Sequence, residues 1–213
     1  SGQSLFAFDA EADAYLVALA DGQVLMIEAS EVTRTPLTTI DKTRSVCELT
    51  FDASPACLVT DDMALLKQTI VRGRAVQAAD TLGAAQYMLD QAVAYSLERK
   101  QFNRVVGSFQ AVKHMCAEMA SQLEPSRAFV WYAGHAFDEV TADAAATACH
   151  AKAHLAEVGQ FVAKTSTEVH GGMGFTDLLG LHYWFKRIGF NRQLLGSPEA
   201  VRHEAAVLQG LCE

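Results

Sequence analysis

The sequence has little proline, little basic charge and no long apolar run, and each shortage excludes a class of structure or partner. Only four of the 213 residues are proline, so most of the chain is free to form long helices. Lysine and arginine number 17 against 25 aspartates and glutamates, which gives a net charge of −8. A surface that binds nucleic acid needs a basic face, so nucleic acid is not an expected partner.

Other missing features concern location and metals. No segment approaches the roughly 18 uninterrupted apolar residues of a membrane span, and the N-terminal Ser1-Gly-Gln-Ser4 lacks the features of a signal peptide. We therefore expect a cytoplasmic protein with no membrane span. The five cysteines include no CxxC pair, which indicates reduced thiols and neither a disulfide framework nor a zinc site. No metal ligands are predicted.

Half of the residues are hydrophobic, and in the first sixty they are spaced as in β-strands. The runs Tyr15–Ala20 and Gln23–Glu28 flank Asp21-Gly22, and a two-residue Asp-Gly loop between apolar runs favours a type I′ hairpin. Cys47, Leu49 and Phe51 alternate with polar residues, as in a strand with one buried face. These strands are too few to close a barrel, so the β domain is expected to be incomplete.

From about Asp61 the apolar spacing changes to three and four residues, which marks a boundary to a helical domain. Three long helices are predicted, with apolar faces Leu82, Ala85, Leu89, Val93 and Leu97; Val112, Met115, Met119 and Leu123; and Ala144, Ala148, Ala151, Leu155, Val158, Val162, Thr165 and Val169. Shorter helices are expected around 181–188 and 199–211. The predicted fold is mostly α, an antiparallel four-helix bundle over residues 61–213 preceded by a partial antiparallel β domain over 1–60.

Three separated segments resemble one enzyme family. Leu97-Glu-Arg-Lys-Gln-Phe102, followed by Gln110-Ala-Val112, is similar to the "ERxxF…Q" signature of flavin-dependent acyl-CoA dehydrogenases. Glu168-Val-His-Gly-Gly-Met-Gly-Phe175 resembles their "QxxGGxGF" turn. Ile40-Asp-Lys-Thr-Arg44 with Glu48–Asp52 is similar to the end of their central β domain. The resemblance covers nearly the whole chain and identifies it with the second half of the family fold.

The resemblance implies FAD as cofactor, held where subunits meet. It assigns Arg99 to the flavin pyrophosphate, which suits a planar cation with several donors. Gly171 and Gly172 would let the backbone approach the adenosine end, because a side chain there would hold it away. The full set of expected cofactor-binding residues is Arg99, Gln101, Phe102, Gln110, Glu168, Gly171, Gly172 and Ser197. Glu168 departs from the usual Gln of the motif.

The catalytic carboxylate of the family is missing. This base removes the α-proton of the acyl thioester, and most relatives carry it at the position that matches Leu195. Some carry it instead before an arginine that corresponds to Arg74, which is expected to bind substrate, and the residue there is Gly73. Glu199 is a weak candidate for a substitute base.

The leading hypothesis is a subunit of an FAD-dependent acyl-CoA dehydrogenase that lacks its own base. It would contribute flavin contacts in a homo- or hetero-oligomer, tetramer-like, with a related subunit. An acyl-CoA would be the substrate, and an electron-transfer acceptor would take the electrons. One alternative is a non-catalytic scaffold that keeps the family bundle for association. A further alternative is that the sequence is a part of a longer, ordinary dehydrogenase.

Overall fold

The computed structural model describes residues 1–212, and these divide into two compact units, Ser1–Thr69 and a second unit that begins at Ile70. The first unit contains six strands: β1 (Gly2–Phe8), β2 (Ala14–Ala18), β3 (Val24–Glu28), β4 (Thr33–Pro36), β5 (Val46–Phe51) and β6 (Cys57–Thr60). They form two antiparallel three-stranded sheets, in the orders β1-β5-β4 and β2-β3-β6. The domain limits 1–60 and 61–213 stay a prediction.

The strand β5 buries Cys47, Leu49 and Phe51, so the predicted one-sided strand is confirmed. The hairpin of β2 and β3 is also present, with Tyr15 opposite Ile27. Its loop differs from the predicted two-residue turn: Leu19 N–H donates to Gln23 O, and only Gly22 in the loop has a positive φ, at 94°. A three-residue loop with glycine at the left-handed position is the alternative hairpin geometry, and it removes the need for a positive φ at Asp21.

The helical part comprises α1 (Met63–Glu98), α2 (Gln110–Glu139), α3 (Ala144–His170), α4 (Leu181–Gln193) and α5 (Pro198–Leu208). A two-stranded hairpin, β7 (Lys100–Gln101) with β8 (Arg104–Val105), joins α1 to α2. The predicted mostly helical fold class, with its small antiparallel sheets, is confirmed. No helix among residues 1–212 is long and apolar enough to cross a membrane.

Helix α3 is the centre of the second unit. All eight residues of its predicted apolar face are buried, and so are polar residues on its other sides, such as Ser166 and Lys152. A helix that is buried on nearly all sides must be surrounded by others. On α1, Leu82, Ala85 and Leu89 are buried as predicted.

The predicted apolar face of α1 is wrong at its C-terminal end. Val93 is 39% exposed and Leu97 is 64% exposed. The last turns of α1 instead bury Ser96, whose Oγ donates to Val93 O. The spacing of apolar residues at three and four positions therefore extends farther along the sequence of α1 than the buried core does, up to the hairpin that follows this helix.

Candidate functional site

A cavity of about 410 Å³ lies where the end of α1 meets the end of α3. Five of the expected cofactor residues line it: Arg99, Gln101, Glu168, Gly171 and Gly172. They come from two motifs that are far apart in the sequence. The fold thus brings both motifs to one concave surface, a geometry that a binding site requires.

The first motif is positioned by the hairpin. Arg99 directly follows α1, its N–H donating to Tyr95 O at 2.9 Å, and its carbonyl accepts from Val106 N–H at 2.8 Å. Phe102 and Asn103 turn the chain with φ of 51° and 62°. Arg99 is exposed, and no carboxylate of residues 1–212 pairs with its guanidinium. A cation without an internal partner is suited to bind an anion from outside the fold.

The second motif is a turn that only glycine allows. Gly171 ends α3 with φ 59° and ψ −140°, a conformation that residues with a Cβ rarely adopt. A Cβ on Gly174 would lie 2.7 Å from Thr167 O, so this glycine is needed for packing within the chain. A Cβ on Gly172 would meet no atom within 4 Å. At Gly172 the backbone is therefore open to a ligand.

Two residues of the cavity that carry polar side chains, Tyr95 and His170, were missed by the sequence reasoning. The rings of Tyr95 and His170 stack with their centroids 4.6 Å apart, and both line the cavity. His170 Nδ1 lies 2.7 Å from Ser166 O, which can only accept, so Nδ1 carries the proton and Nε2 of a neutral ring is an acceptor. Tyr95 precedes Arg99 by one helical turn, a spacing that could have indicated it.

Three other predicted cofactor residues do not line this cavity. Phe102 is 86% exposed at the hairpin tip, with its ring edge-on to Phe109 at 6.1 Å. Gln110 begins α2, and its Nε2 lies 2.9 Å from His114 Nε2. Ser197 is the N-cap of α5, where its Oγ accepts from Ala200 N–H. Their cofactor contacts stay predictions.

The two positions that could carry the base are neighbours in the fold. A Cβ on Gly73 would lie 2.6 Å from Leu195 Cδ1, so the Leu195 side chain fills the space beside Gly73. Leu195 has φ 58°, in the left-handed region that a leucine rarely occupies. Neither residue can transfer a proton.

Arg74 is buried in the helical unit and binds the backbone at Leu195. It is 7% exposed; its Nε donates to Leu195 O at 2.9 Å, and its Nη1 donates to Cys149 Sγ at 3.2 Å and lies 2.8 Å from Glu204 Oε1. Burial acts against its charge, but the hydrogen bond to Glu204 and the other contacts outweigh it and raise the pKa of Arg74. The arginine thus positions Leu195, and its predicted contact with substrate stays untested.

Glu199 lies in the first turn of α5. Its Oε1 is 3.4 Å from Arg192 Nη2. Hydrogen bonds from its own backbone and from Ser197 lower the pKa of Glu199, so it is a carboxylate at neutral pH. Its carboxylate is therefore directed to Arg192.

A buried lysine binds the C-terminal end of α4, which precedes Leu195 in the chain. Lys152 is 2% exposed, and its Nζ donates to the carbonyls of Asn191 and Arg192 at the end of α4. Burial, together with the positive charges of Arg74 and Arg192, lowers the pKa of Lys152 to about 8. Its hydrogen bonds satisfy carbonyls that the helix end leaves without partners.

Comparison with known proteins identifies relatives of most of the chain. Residues 63–206 match the family model described as acyl-CoA dehydrogenase, C-terminal domain. Acyl-CoA dehydrogenase IpdE2 of Mycolicibacterium smegmatis is 32% identical over 179 residues, which is 84% of this chain and 53% of that protein. CarC, a subunit of the caffeyl-CoA reductase-Etf complex of Acetobacterium woodii, is 34% identical over 108 residues, 51% of this chain and 28% of CarC.

A solved structure extends the likeness to the fold. A variant of the Tcur3481-Tcur3483 steroid ACAD superposes with a TM-score of 0.81 at 28% identity, over 92% of this chain and 54% of that one. The chain spans about half the length of the two IpdE2 relatives, each of which it matches over more than three quarters of its own length.

Proposed function

The chain belongs to the acyl-CoA dehydrogenase family, and from that premise we propose that it is a subunit of an enzyme that performs FAD-dependent α,β-dehydrogenation of an acyl-CoA thioester. In this proposal the chain contributes contacts to a flavin at a subunit interface and lacks its own catalytic glutamate. The observation that carries the proposal is the cavity that unites Arg99 and Gln101 with Glu168, Gly171 and Gly172.

The residues of the cavity fit one end of the cofactor. The unpaired guanidinium of Arg99 would bind the pyrophosphate, and the open backbone at Gly172 would lie against the adenosine part. A cavity of about 410 Å³ with a wide mouth suits part of a dinucleotide, so a second subunit would enclose the rest. Glu168 would accept a hydrogen bond where the family's glutamine can also donate.

Dehydrogenation also needs a base that this chain lacks. The bound flavin would accept a hydride from the β-carbon, while a carboxylate takes the α-proton. A base must come within hydrogen-bond reach of that proton, and the adjacent Leu195 and Gly73 provide only hydrocarbon and hydrogen there. We therefore assign the base to the partner subunit.

The relatives support a multimer with an unlike partner. The solved steroid ACAD carries the names of two components, Tcur3481 and Tcur3483, and CarC is a subunit of a complex with Etf. By analogy, a related subunit is the proposed partner of this chain, and an electron-transferring flavoprotein is its proposed acceptor.

Co-expression with related subunits that carry the glutamate tests the assignment. We expect the isolated chain with FAD to reduce no electron-acceptor dye when acyl-CoA is added, and the assembly to do so. A Glu→Gln change in the partner should abolish turnover. Turnover by this chain alone would contradict the assignment, and Glu199→Gln, compared with Glu139→Gln at an exposed position on α2, would then show whether Glu199 is the base.

A further inference from the structure

A buried amide on α1 has no partner in the fold. Gln77 is 8% exposed, and neither its Nε2 nor its Oε1 has a hydrogen-bond partner among residues 1–212. A buried amide that loses its hydrogen bonds to water without replacing them costs about 1–3 kcal/mol. Such groups are rare in folded proteins, and each calls for a specific explanation, of which a bound water, ion or ligand is one.

The position of Gln77 connects it to the proposed reaction site. It follows Gly73 by four residues, which places it on the same face of α1 and about 5.4 Å farther along the helix. Gly73 is the residue that abuts Leu195, beside the place where the family's base acts.

The polar side chains one turn farther along the same face of α1 already have hydrogen-bond partners. Thr81 Oγ1 donates to Gln77 O at 2.9 Å and accepts from Asn191 Nδ2 at 3.2 Å, and Asp80 binds Arg187 and Asn191. The neighbouring polar side chains therefore already have partners, whereas the amide of Gln77 has none among the residues that the structure describes.

We propose that Gln77 is a specificity-determining residue that binds a hydroxyl group on the acyl part of the substrate. This inference rests on the proposed function, because it places the acyl chain along the Gly73 face of α1. A hydroxyl both donates and accepts, so a single one can accept from Nε2 and donate to Oε1. A plain hydrocarbon chain would leave both atoms without partners and would gain nothing from the amide, so a hydroxylated chain would be preferred.

The first test measures the stability of the chain without substrate. In Gln77→Leu an apolar side chain of similar size replaces the unsatisfied amide, so we expect the melting temperature to stay equal to that of the wild type or to rise by about 2–4 °C. Gln91→Leu makes the same change at an exposed position of α1 and should have no effect. A fall confined to Gln77→Leu would mean that the fold already satisfies the amide, and it would overturn the inference.

The second test measures binding of two acyl-CoA thioesters that share a carbon skeleton and differ by one hydroxyl. Calorimetry with the FAD-supplemented chain, alone and with its partner subunit, should show the hydroxylated ligand bound about tenfold to a hundredfold more tightly. Gln77→Leu should abolish this preference, and Gln91→Leu should keep it. A preference that is absent, or that is unchanged in Gln77→Leu, would overturn the inference alone. Failure of both ligands to bind would overturn the proposed function and the inference with it.

Discussion

Gly172 and Gly174 lie in one motif but have different roles. A Cβ on Gly172 meets nothing in the chain, whereas a Cβ on Gly174 would lie 2.7 Å from a backbone oxygen. We expect Gly172→Ala to leave the melting temperature unchanged and to weaken FAD retention, because the methyl group would hold the cofactor away. Gly174→Ala should lower the melting temperature by several degrees. Equal FAD retention in Gly172→Ala and the wild type, measured by flavin absorbance after gel filtration, would argue against a cofactor at this turn.

Lys152 makes the free energy of unfolding depend on pH in the alkaline range. Its pKa is lowered to about 8 in the folded chain, so the unfolded chain, with an ordinary lysine pKa of about 10.4, binds more protons between these values. The cost of the buried charge is therefore complete below pH 8 and is relieved as the pH rises toward 10.4.

We expect the free energy of unfolding of the wild type to rise relative to Lys152→Met by at most about 1.4 kcal/mol per pH unit over that interval. Urea titrations between pH 7 and pH 10.5 measure the difference, and Lys113→Met, at an exposed position on α2, provides the control. Parallel stability profiles for the wild type and Lys152→Met would show that Lys152 keeps an ordinary pKa.

At the scale of elements, α2 and α5 place proline in opposite contexts. Pro125 lies inside α2, where its ring removes a helical hydrogen bond, and Pro198 occupies the first turn of α5 after the Ser197 cap. We expect Pro125→Ala to raise the free energy of unfolding by about 1–3 kcal/mol and Pro198→Ala to lower it. Chemical denaturation measures both changes, and a destabilised Pro125→Ala would mean that the proline ring itself is required for packing.

The elements also show what the sequence could predict. Helix α3 was predicted correctly because it is long and because the regularly spaced apolar residues in its sequence are the ones that are buried in the structure. The hairpin after α1 was missed: its four strand residues carry no apolar alternation, and it depends on positive φ at Phe102 and Asn103. Strand β1 was not predicted either, since five of its seven residues are exposed and its alternation carries no signal.

The candidate site was predictable only where motifs carried it. Arg99 and Gly172 were found from the two signatures, and the structure brings them to one cavity. Tyr95 and His170 were missed because their stacking depends on how α1 packs against α3. The orphaned amide of Gln77 has no sequence signal at all, because only the packing shows which polar groups lack a partner.

At the scale of the whole molecule, the proposed function makes the chain one part of a shared site. In that proposal it would supply Arg99 and the glycine turn, which line one cavity, and Leu195 and Gly73 would stand where a base is needed. It also matches only about half the length of relatives such as IpdE2. We therefore expect that flavin binding and catalysis belong to an assembly, with this chain responsible for part of the flavin affinity.

The most direct measurement is the visible absorption spectrum of the assembled protein after incubation with excess FAD and removal of unbound cofactor. We expect a flavin spectrum for the wild type, alone as an oligomer or with its partner subunit. Arg99→Ala should retain much less flavin, with the assembly state unchanged by light scattering. Equal flavin content in both proteins, or none in the wild-type assembly, would contradict the claim that this chain helps to bind the cofactor.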